Sequence, residues 1–593
     1  MTAAEMQPRP DPRRWFTLAI VISAVLIVAL DTTILNVAIP TILRDLDTTL
    51  PSLQWVITGY SLTFASLLII GGRLGDLFGP RRMFIVGAAV FGVGSLLASV
   101  ATSVPTLVFG EAVIEGIGAS LMMPATLGIL SSTFHGRERA TAFGMWGATA
   151  GAAVAFGPLV GGYLTTNYSW RWSFRINVIV APLAILGALL FMRRQAARTG
   201  RRERIDVPGA LLVASGTFLL VFALSEGETY GWWHPVKSFM LGGADVWPAD
   251  RSVSIVPFAF AGAVVLLCAF YVLERWKERS ARDPLFEFGL LRRRSFRYGL
   301  LTTMVLAMGQ LGFLFVVPVF LQDGEHLSAV ENGLWLLPSG ISIIAGTQLG
   351  ARLTHRIGTT AVVRVGLVLE AIGLLVIALA VSPDLTFLGL LPGLVLFGVG
   401  IGFASSQLTN VVLSDIPDER SGAASGANTT VRQLGAALGI AVIGAILTSQ
   451  TISSGTDAIR SSGLPASLKA RTIAGVRVGG VNFRLPSHTR PADLATLRDV
   501  FDSAVAHGTR AALFYAVAVV VIGAITSFLI PRITIRGAAP SVESTEETVD
   551  SLEALAPLTS AVVDANPLDR EVADQTSGDS ESGGTPDSVR TTR

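Results

Sequence analysis

The sequence predicts an all-α polytopic membrane protein of about fourteen transmembrane helices, and three observations predict it. Of 593 residues, 51% are apolar and 15% charged, with a mean hydropathy of +0.58, too apolar for a soluble chain of this length. Apolar runs of about 20 residues, each long enough to cross a bilayer, recur along almost the whole chain. Arginines crowd alternate connections between those runs, the pattern of loops that face the cytoplasm. Other classes are excluded. Cys268 is the single cysteine, so there is no intramolecular disulfide framework and no multi-cysteine metal site. Lys237, Lys277 and Lys469 are the only lysines and none lies in a G-x-x-x-x-G-K-[ST] context, so the chain carries no P-loop of its own. Work on a solute would draw on an ion gradient, with no cofactor and no nucleic-acid partner. The net charge of +2 decides little, because the charges are segregated along the chain.

The first run, 15–38, carries a carboxylate, Asp31, inside it. A charge at a helix centre costs roughly 2.5–3.5 kcal/mol on insertion scales, which makes Asp31 a functional-site candidate. At about 100° per residue Thr32, Thr33 and Asn36 share one polar sector, with Asp31 about 100° from its near edge and Leu35 between them. Runs 52–72, 83–102, 106–129, 139–164 and 174–192 follow, then 208–225 and 253–273, then 296–321, 329–351, 361–382, 386–412, 422–448 and 508–530. Arg73, Arg81 and Arg82 follow the second run, Arg137 and Arg139 the fourth, Arg193, Arg194 and Arg198 the sixth, Arg292, Arg293 and Arg294 the eighth, and Arg352 and Arg356 the tenth. An even number of spans with this bias places both termini in the cytoplasm.

Two long excursions fall on the other side. Ser225 to Arg251 contains Gly231-Trp232-Trp233, whose indoles suit the membrane interface. Ser449 to His507 is long enough to be functional or disordered. Within it, Val476-Arg477-Val478, Gly479-Gly480 and Val481-Asn482-Phe483 read as a hairpin, or equally as a solvated loop. Leu494, Leu497, Val500, Phe501 and Val505 recur at helical spacing and predict an amphipathic helix leading into the last span. Beyond Arg536 the chain is rich in Ser, Thr, Pro, Asp and Glu, the composition of a disordered tail.

After the second span comes Gly72-Arg73-Leu74-Gly75-Asp76-Leu77-Phe78-Gly79-Pro80-Arg81-Arg82, a tight basic turn with an acid at its centre. It resembles the G-x-L-a-D-r-x-G-r-k loop of the major facilitator superfamily, with Leu77 and Pro80 departing from its basic positions. The resemblance implies a cytoplasmic gate at Gly72, Asp76, Gly79, Arg81 and Arg82. The fifth span carries Gly147 and Gly151, then Gly157-Pro158-Leu159-Val160-Gly161-Gly162, small residues that let helices approach closely. This stretch is similar to the G-x-x-x-G-P-x-x-G-G motif of that family's exporters, with Ala153 at the first glycine. The stretch Leu30 to Pro40, Gln54-Trp55 to Tyr60, Trp170-Arg171-Trp172 and Arg432-Gln433-Leu434-Gly435 narrow the resemblance to the fourteen-span drug:proton antiporters. Arg175 departs from it.

The resemblance implies two six-helix bundles related as parallel repeats, joined through two inserted linker helices. Ala351-Arg352-Leu353-Thr354-His355-Arg356-Ile357-Gly358 is a degenerate echo of the gate turn. The expected organisation is a cytoplasmic N-terminal tail (1–14), an N-terminal bundle (15–192), a linker with two extra helices (193–295), a C-terminal bundle including the extracytoplasmic loop 449–507 (296–530), and a disordered acidic cytoplasmic tail (531–593).

In the fourth span, Leu107 to Gly118, the family pattern R-x-x-Q-G-x-G is altered: Ala112 stands in the arginine position and Glu115 in the glutamine position. The arginine's proton-relay role has no residue to carry it. Glu111 and Glu115, four apart, share one helix face. The family places the first and fourth spans together, so Asp31, Glu115 and Glu111 form the expected charge site for protons and substrate. Asn36, Tyr60, Trp146, Gln310, Gln407, Asn410 and Arg432 are candidates to line the cavity; Glu370, in the eleventh span, has no assigned partner. The implied function is proton-coupled export of amphiphilic cations across the cytoplasmic membrane of a bacterium, by a functional monomer contacting substrate, protons and lipid, and not an enzyme. Two alternatives remain at this stage: export of an endogenous lipid, siderophore or metabolite by the same fold, and a membrane sensor or scaffold.

Overall fold

Long apolar stretches become helices because in hydrocarbon the backbone must satisfy its own hydrogen bonds. The computed structural model describes residues 12–48, 50–134, 136–193, 206–241, 244–280, 282, 284–417, 420–479 and 490–531. The first half comprises α1 (Arg14–Asp45), α2 (Leu50–Phe78), α3 (Pro80–Ser99), α4 (Val104–Leu107), a π-helical stretch (Val108–Glu115), α5 (Gly116–Thr133), α6 (Gly136–Asn167) and α7 (Trp172–Phe191). Two helices follow, α8 (Val207–Tyr230) and α9 (Ile255–Arg279), with a small antiparallel ribbon of β1 (Phe239–Leu241) and β2 (Ala244–Trp247) between them. The second half holds α10 (Arg294–Val319), α11 (Ala329–Ile357), α12 (Thr359–Ala380), α13 (Phe387–Leu413), α14 (Ser421–Ser461), α15 (Ala466–Gly479) and α16 (Pro491–Ser527).

Thirteen helical stretches among the described residues are long and apolar enough to cross a membrane. That count does not include the 32-residue α6. Within the first half α3 packs on α5 and α7, and α1 on α6 and α7; within the second, α12 packs on α13 and α16, and α10 on α14 and α16. The halves meet where α2 crosses α14 and where α6 crosses α11 and α13. The helix α8 packs on α9 and lies against α2 and α14.

The two halves turn alike. Gly79, between α2 and α3, has φ of 90°, and Gly358, between α11 and α12, has φ of 86°; only glycine adopts that conformation without cost. The echo of the gate turn is thus also an echo of its backbone.

Two expectations change. The helix of the thirteenth span continues past 448, as α14 runs to Ser461. The hairpin does not form, because Ala466–Gly479 is helical. Thr472 and Val476 fall on one face, and they border the same small apolar cavity as Ile459 of α14 and Leu497 and Val500 of α16. That contact outweighs the local alternation; the expected second arm, 481–483, lies outside the described residues. The helix expected near 494–505 is the first part of α16. The tail beyond 531 and residues 1–11 also lie outside the described residues.

Candidate functional site

The centre of the first half is a buried group of carboxyls. Asp31 sits within α1, and Glu111 and Glu115 sit in the π-helical stretch between α4 and α5. Such a stretch, with i→i+5 bonding, is rare and frequent at functional sites. It lies almost backbone to backbone on α3: a Cβ added at Gly94 would come within 2.6 Å of the Glu115 nitrogen. Asp31, Glu111 and Glu115 are 4%, 1% and 0% exposed, and their ligand atoms all lie within 4.8 Å of one another. At that separation each pair of full charges repels by about 3.5 kcal/mol at an effective dielectric of ~20. The group therefore needs a proton or a cation among its oxygens, and its spacing would also suit a metal ion.

Two residues that sequence reasoning missed complete the site. Asn177 of α7 donates from Nδ2 to Asp31 Oδ1 at 2.9 Å and to Glu115 Oε1 at 3.1 Å, tying α1 to the π-helical stretch. The Ser95 hydroxyl of α3 donates to the same Glu115 oxygen. Their only sequence signal is a lone polar side chain in an apolar run. Asp31 Oδ2, Glu111 Oε2, Glu115 Oε2 and the Tyr60 hydroxyl are buried without a hydrogen-bond partner. Glu111, expected either here or solvated at the outer interface, is here. Ala112 faces α2, where a Cβ on Gly59 would come within 2.8 Å of its own Cβ.

The glycine-rich stretch of α6 seats that helix on α1 just beyond Asp31. A Cβ at Gly157 would overlap the Thr33 hydroxyl, and one at Gly161 would come within 3.0 Å of Ile34 Cα. Gly147 and Gly162 are buried. The side-chain surroundings of Gly151, Pro158, Thr32 and Asn36 lie outside the described residues.

The α2–α3 end of the bundle is tied across the two halves. Gly72 abuts Gly422 of α14, and one turn on, Asp76 accepts from the Gly422 and Ala423 backbone nitrogens at 2.7 Å each. Those are orphan N–H groups of the first turn of α14, and a carboxylate suits them by hydrogen bonding and by the helix dipole. Arg139 of α6 adds a bond to the Leu413 carbonyl of α13 at 3.2 Å. Arg81 donates instead to Ala188 and Leu189 carbonyls at the end of α7, at 3.1 and 2.9 Å, within its own half. Arg82 is exposed.

The other candidates scatter. Tyr60 borders the acid group. Trp146 donates to the Thr126 hydroxyl at 3.0 Å, a helix-to-helix bond. Gln310 and Arg432 line a small polar cavity in the second half with Thr303, Ser405 and Thr409; Gln407 is fully buried and Asn410 half-buried. Arg175 places its guanidinium over the Trp172 ring. A larger apolar cavity of about 310 Å³ opens among α8, α9, α2 and α14, bordered by Ile69, Val213, Phe270, Phe288, Val431 and Leu434.

The sequence model of the Major Facilitator Superfamily matches residues 21–440. The puromycin resistance protein pur8 of Streptomyces alboniger is 35% identical over 449 residues, 74% of this chain and 83% of that protein. The tetracenomycin C resistance and export protein of Streptomyces glaucescens is 31% identical over 516 residues, 86% of this chain and 90% of that protein. The crystal structure of the human organic anion transporter MFSD10 (TETRAN) superposes with a TM-score of 0.53 at 14% identity, covering 88% of this chain and 100% of that one, a likeness of fold.

Proposed function

The chain belongs to the Major Facilitator Superfamily and is a membrane transporter, and from that premise we propose that it is a proton-coupled antiporter exporting amphiphilic cations across the cytoplasmic membrane. The observation that carries the reading is the buried Asp31–Glu111–Glu115 group, whose oxygens lie within 4.8 Å of one another with three lacking any donor. Substrate cation and proton compete for that negative charge. A cation arriving from the inner leaflet displaces a proton, and protons from outside later displace the cation. Alternating access is the rocking of one half against the other around the site. Asp76 and Arg139 hold the α2–α3 end shut in the conformation described here. The arginine bias of the connections at that end supports a cytoplasmic position for it.

Export over uptake is supported by the glycine stretch that seats α6 on α1 beside Asp31, and by relatives named for antibiotic resistance and export. Amphiphilic cargo is supported by the apolar cavity beside α2 and α14. The test uses two amphiphiles of the same apolar body, one permanently cationic and one neutral, in proteoliposomes with an imposed pH gradient. The cation should be concentrated against its gradient and the neutral compound not; equal handling of both would refute a carboxylate charge site for substrate.

A further inference from the structure

The halves are parallel repeats, and their glycine contacts align them residue by residue. In the first half a Cβ on Gly118 of α5 would come within 2.7 Å of Phe91 Cα on α3; in the second, one on Gly400 of α13 would come within 2.8 Å of Glu370 Cα on α12. One turn along, a Cβ on Gly94 would lie 3.1 Å from Glu115 Cα, and one on Gly373 would lie 2.7 Å from Phe397 Cα. Phe91 therefore corresponds to Glu370, and Glu115 to Phe397. Each half has one carboxylate and one phenylalanine at these two positions, on opposite helices.

Glu370 is fully buried, and neither of its oxygens has a hydrogen-bond partner. No charged side chain among the described residues of α10, α11, α13 or α16 acts on it. An ionised carboxylate in such a place has neither donor nor counter-ion, so the packing accommodates the neutral acid only. On the α10 side Glu370 meets Gly309, whose added Cβ would be 3.8 Å from Oε1. The next residue, Gln310, borders the small polar cavity with Arg432. At its glycine α10 is a thin partition between the acid and that cavity.

We infer that Glu370 is a second proton-carrying carboxyl, separate from the Asp31 group, that releases and regains its proton as the second half repacks around α10. The inference rests on the proton coupling proposed above. In the packing described here the O–H bond is intact. When α10 moves away at Gly309, water reaches Oε1, the O–H bond breaks, the proton passes to water, and a hydrated carboxylate remains until a proton returns from the other side.

The test uses the full chain in proteoliposomes with the membrane potential clamped and ethidium as the transported cation. The steady accumulation ratio is followed against the imposed pH gradient, whose slope counts protons per substrate. Glu370→Gln and Glu370→Leu should each remove one proton from that count, lowering accumulation about tenfold for each unit of pH gradient. In parallel, Glu370 in the wild-type protein should react with dicyclohexylcarbodiimide, read as an N-acylurea adduct by peptide mass spectrometry, faster in acid than in alkaline buffer. A wild-type slope with no proton dependence overturns the antiport reading and this inference together. A proton-dependent wild-type slope unchanged in both variants, or no adduct at any pH, overturns this inference alone, and the adduct decides the matter if neither variant folds.

Discussion

Replacing Asp76 by Ala removes the carboxylate that accepts two backbone N–H groups, Gly422 and Ala423, at 2.7 Å each. Hydrogen bonds to a charged group contribute about 1.5–3 kcal/mol each. Asp76 is only half-buried, and water can take over part of what is lost, so the pair is worth about 2–4 kcal/mol net. Both donors are orphan amides at the start of α14, with no intrahelical acceptor, so the loss falls on the contact between halves. The assay is amide hydrogen exchange on peptides covering residues 68–79 and 420–430. Asp76→Ala should speed exchange there by about 30- to 700-fold, from the tenfold per 1.4 kcal/mol relation. Asp76→Asn, which keeps one acceptor oxygen, should give an intermediate value. Acceleration confined to Gly422 and Ala423, with the α2 peptide unchanged, would mean that Asp76 caps a helix without holding the halves together. Unchanged exchange in both peptides would refute the contact itself.

Gly157→Ala should force α6 away from α1 at a cost of about 1–3 kcal/mol and reduce efflux; adding Thr33→Ala, which removes the overlapping hydroxyl, should recover part of both stability and efflux, read by thermal unfolding and dye export. Asn177→Leu leaves Asp31 Oδ1 without its amide donor, about 1–3 kcal/mol, while Glu115 Oε1 keeps the Ser95 hydroxyl, and should lower efflux about tenfold or more with the protein still present in the membrane at wild-type level. Burial raises the Glu325 carboxyl above its ordinary 4.5 and the Asp502 and Asp384 charges add to this, against the Leu385 backbone bond and His326, which lower it. Its favourable contribution is therefore full below 4.5 and lost as pH rises through the raised value, so the melting temperature should fall over that range, and Glu325→Gln should flatten the fall.

What was legible in the sequence follows from which forces act locally. The spans could be read because a membrane helix is mostly apolar, and the turn after the second span because Gly79 takes a φ of 90° that only glycine adopts without cost. Of the partners of Asp31, the carboxylates Glu111 and Glu115 were legible and the backbone that carries them was not. Glu115 shows as a carboxylate in an apolar run, but nothing in Val108-Phe109-Gly110-Glu111-Ala112-Val113-Ile114-Glu115 announces i→i+5 bonding, which arises from packing on α3. Asn177 and Ser95 were overlooked because a single amide or hydroxyl in a span is ordinary, and only the fold brings α3, α7 and α1 to one point. The α15 segment misled for the opposite reason: Val476-Arg477-Val478 alternates like a strand, and the apolar face completed by α14 and α16 lies far away in sequence. Arg81 was placed at the gate by its neighbours, while its reach to the end of α7 depends on a contact 107 residues away.

The acid group can be tested most directly by dye efflux in everted membrane vesicles under an imposed pH gradient, comparing the wild-type protein with Asp31→Asn and Glu115→Gln at matched protein levels. Proton-driven efflux should be lost in Asp31→Asn and lost or strongly reduced in Glu115→Gln, with both proteins folded. Undiminished proton-driven efflux in both variants would contradict the claim that these carboxyls exchange protons for substrate.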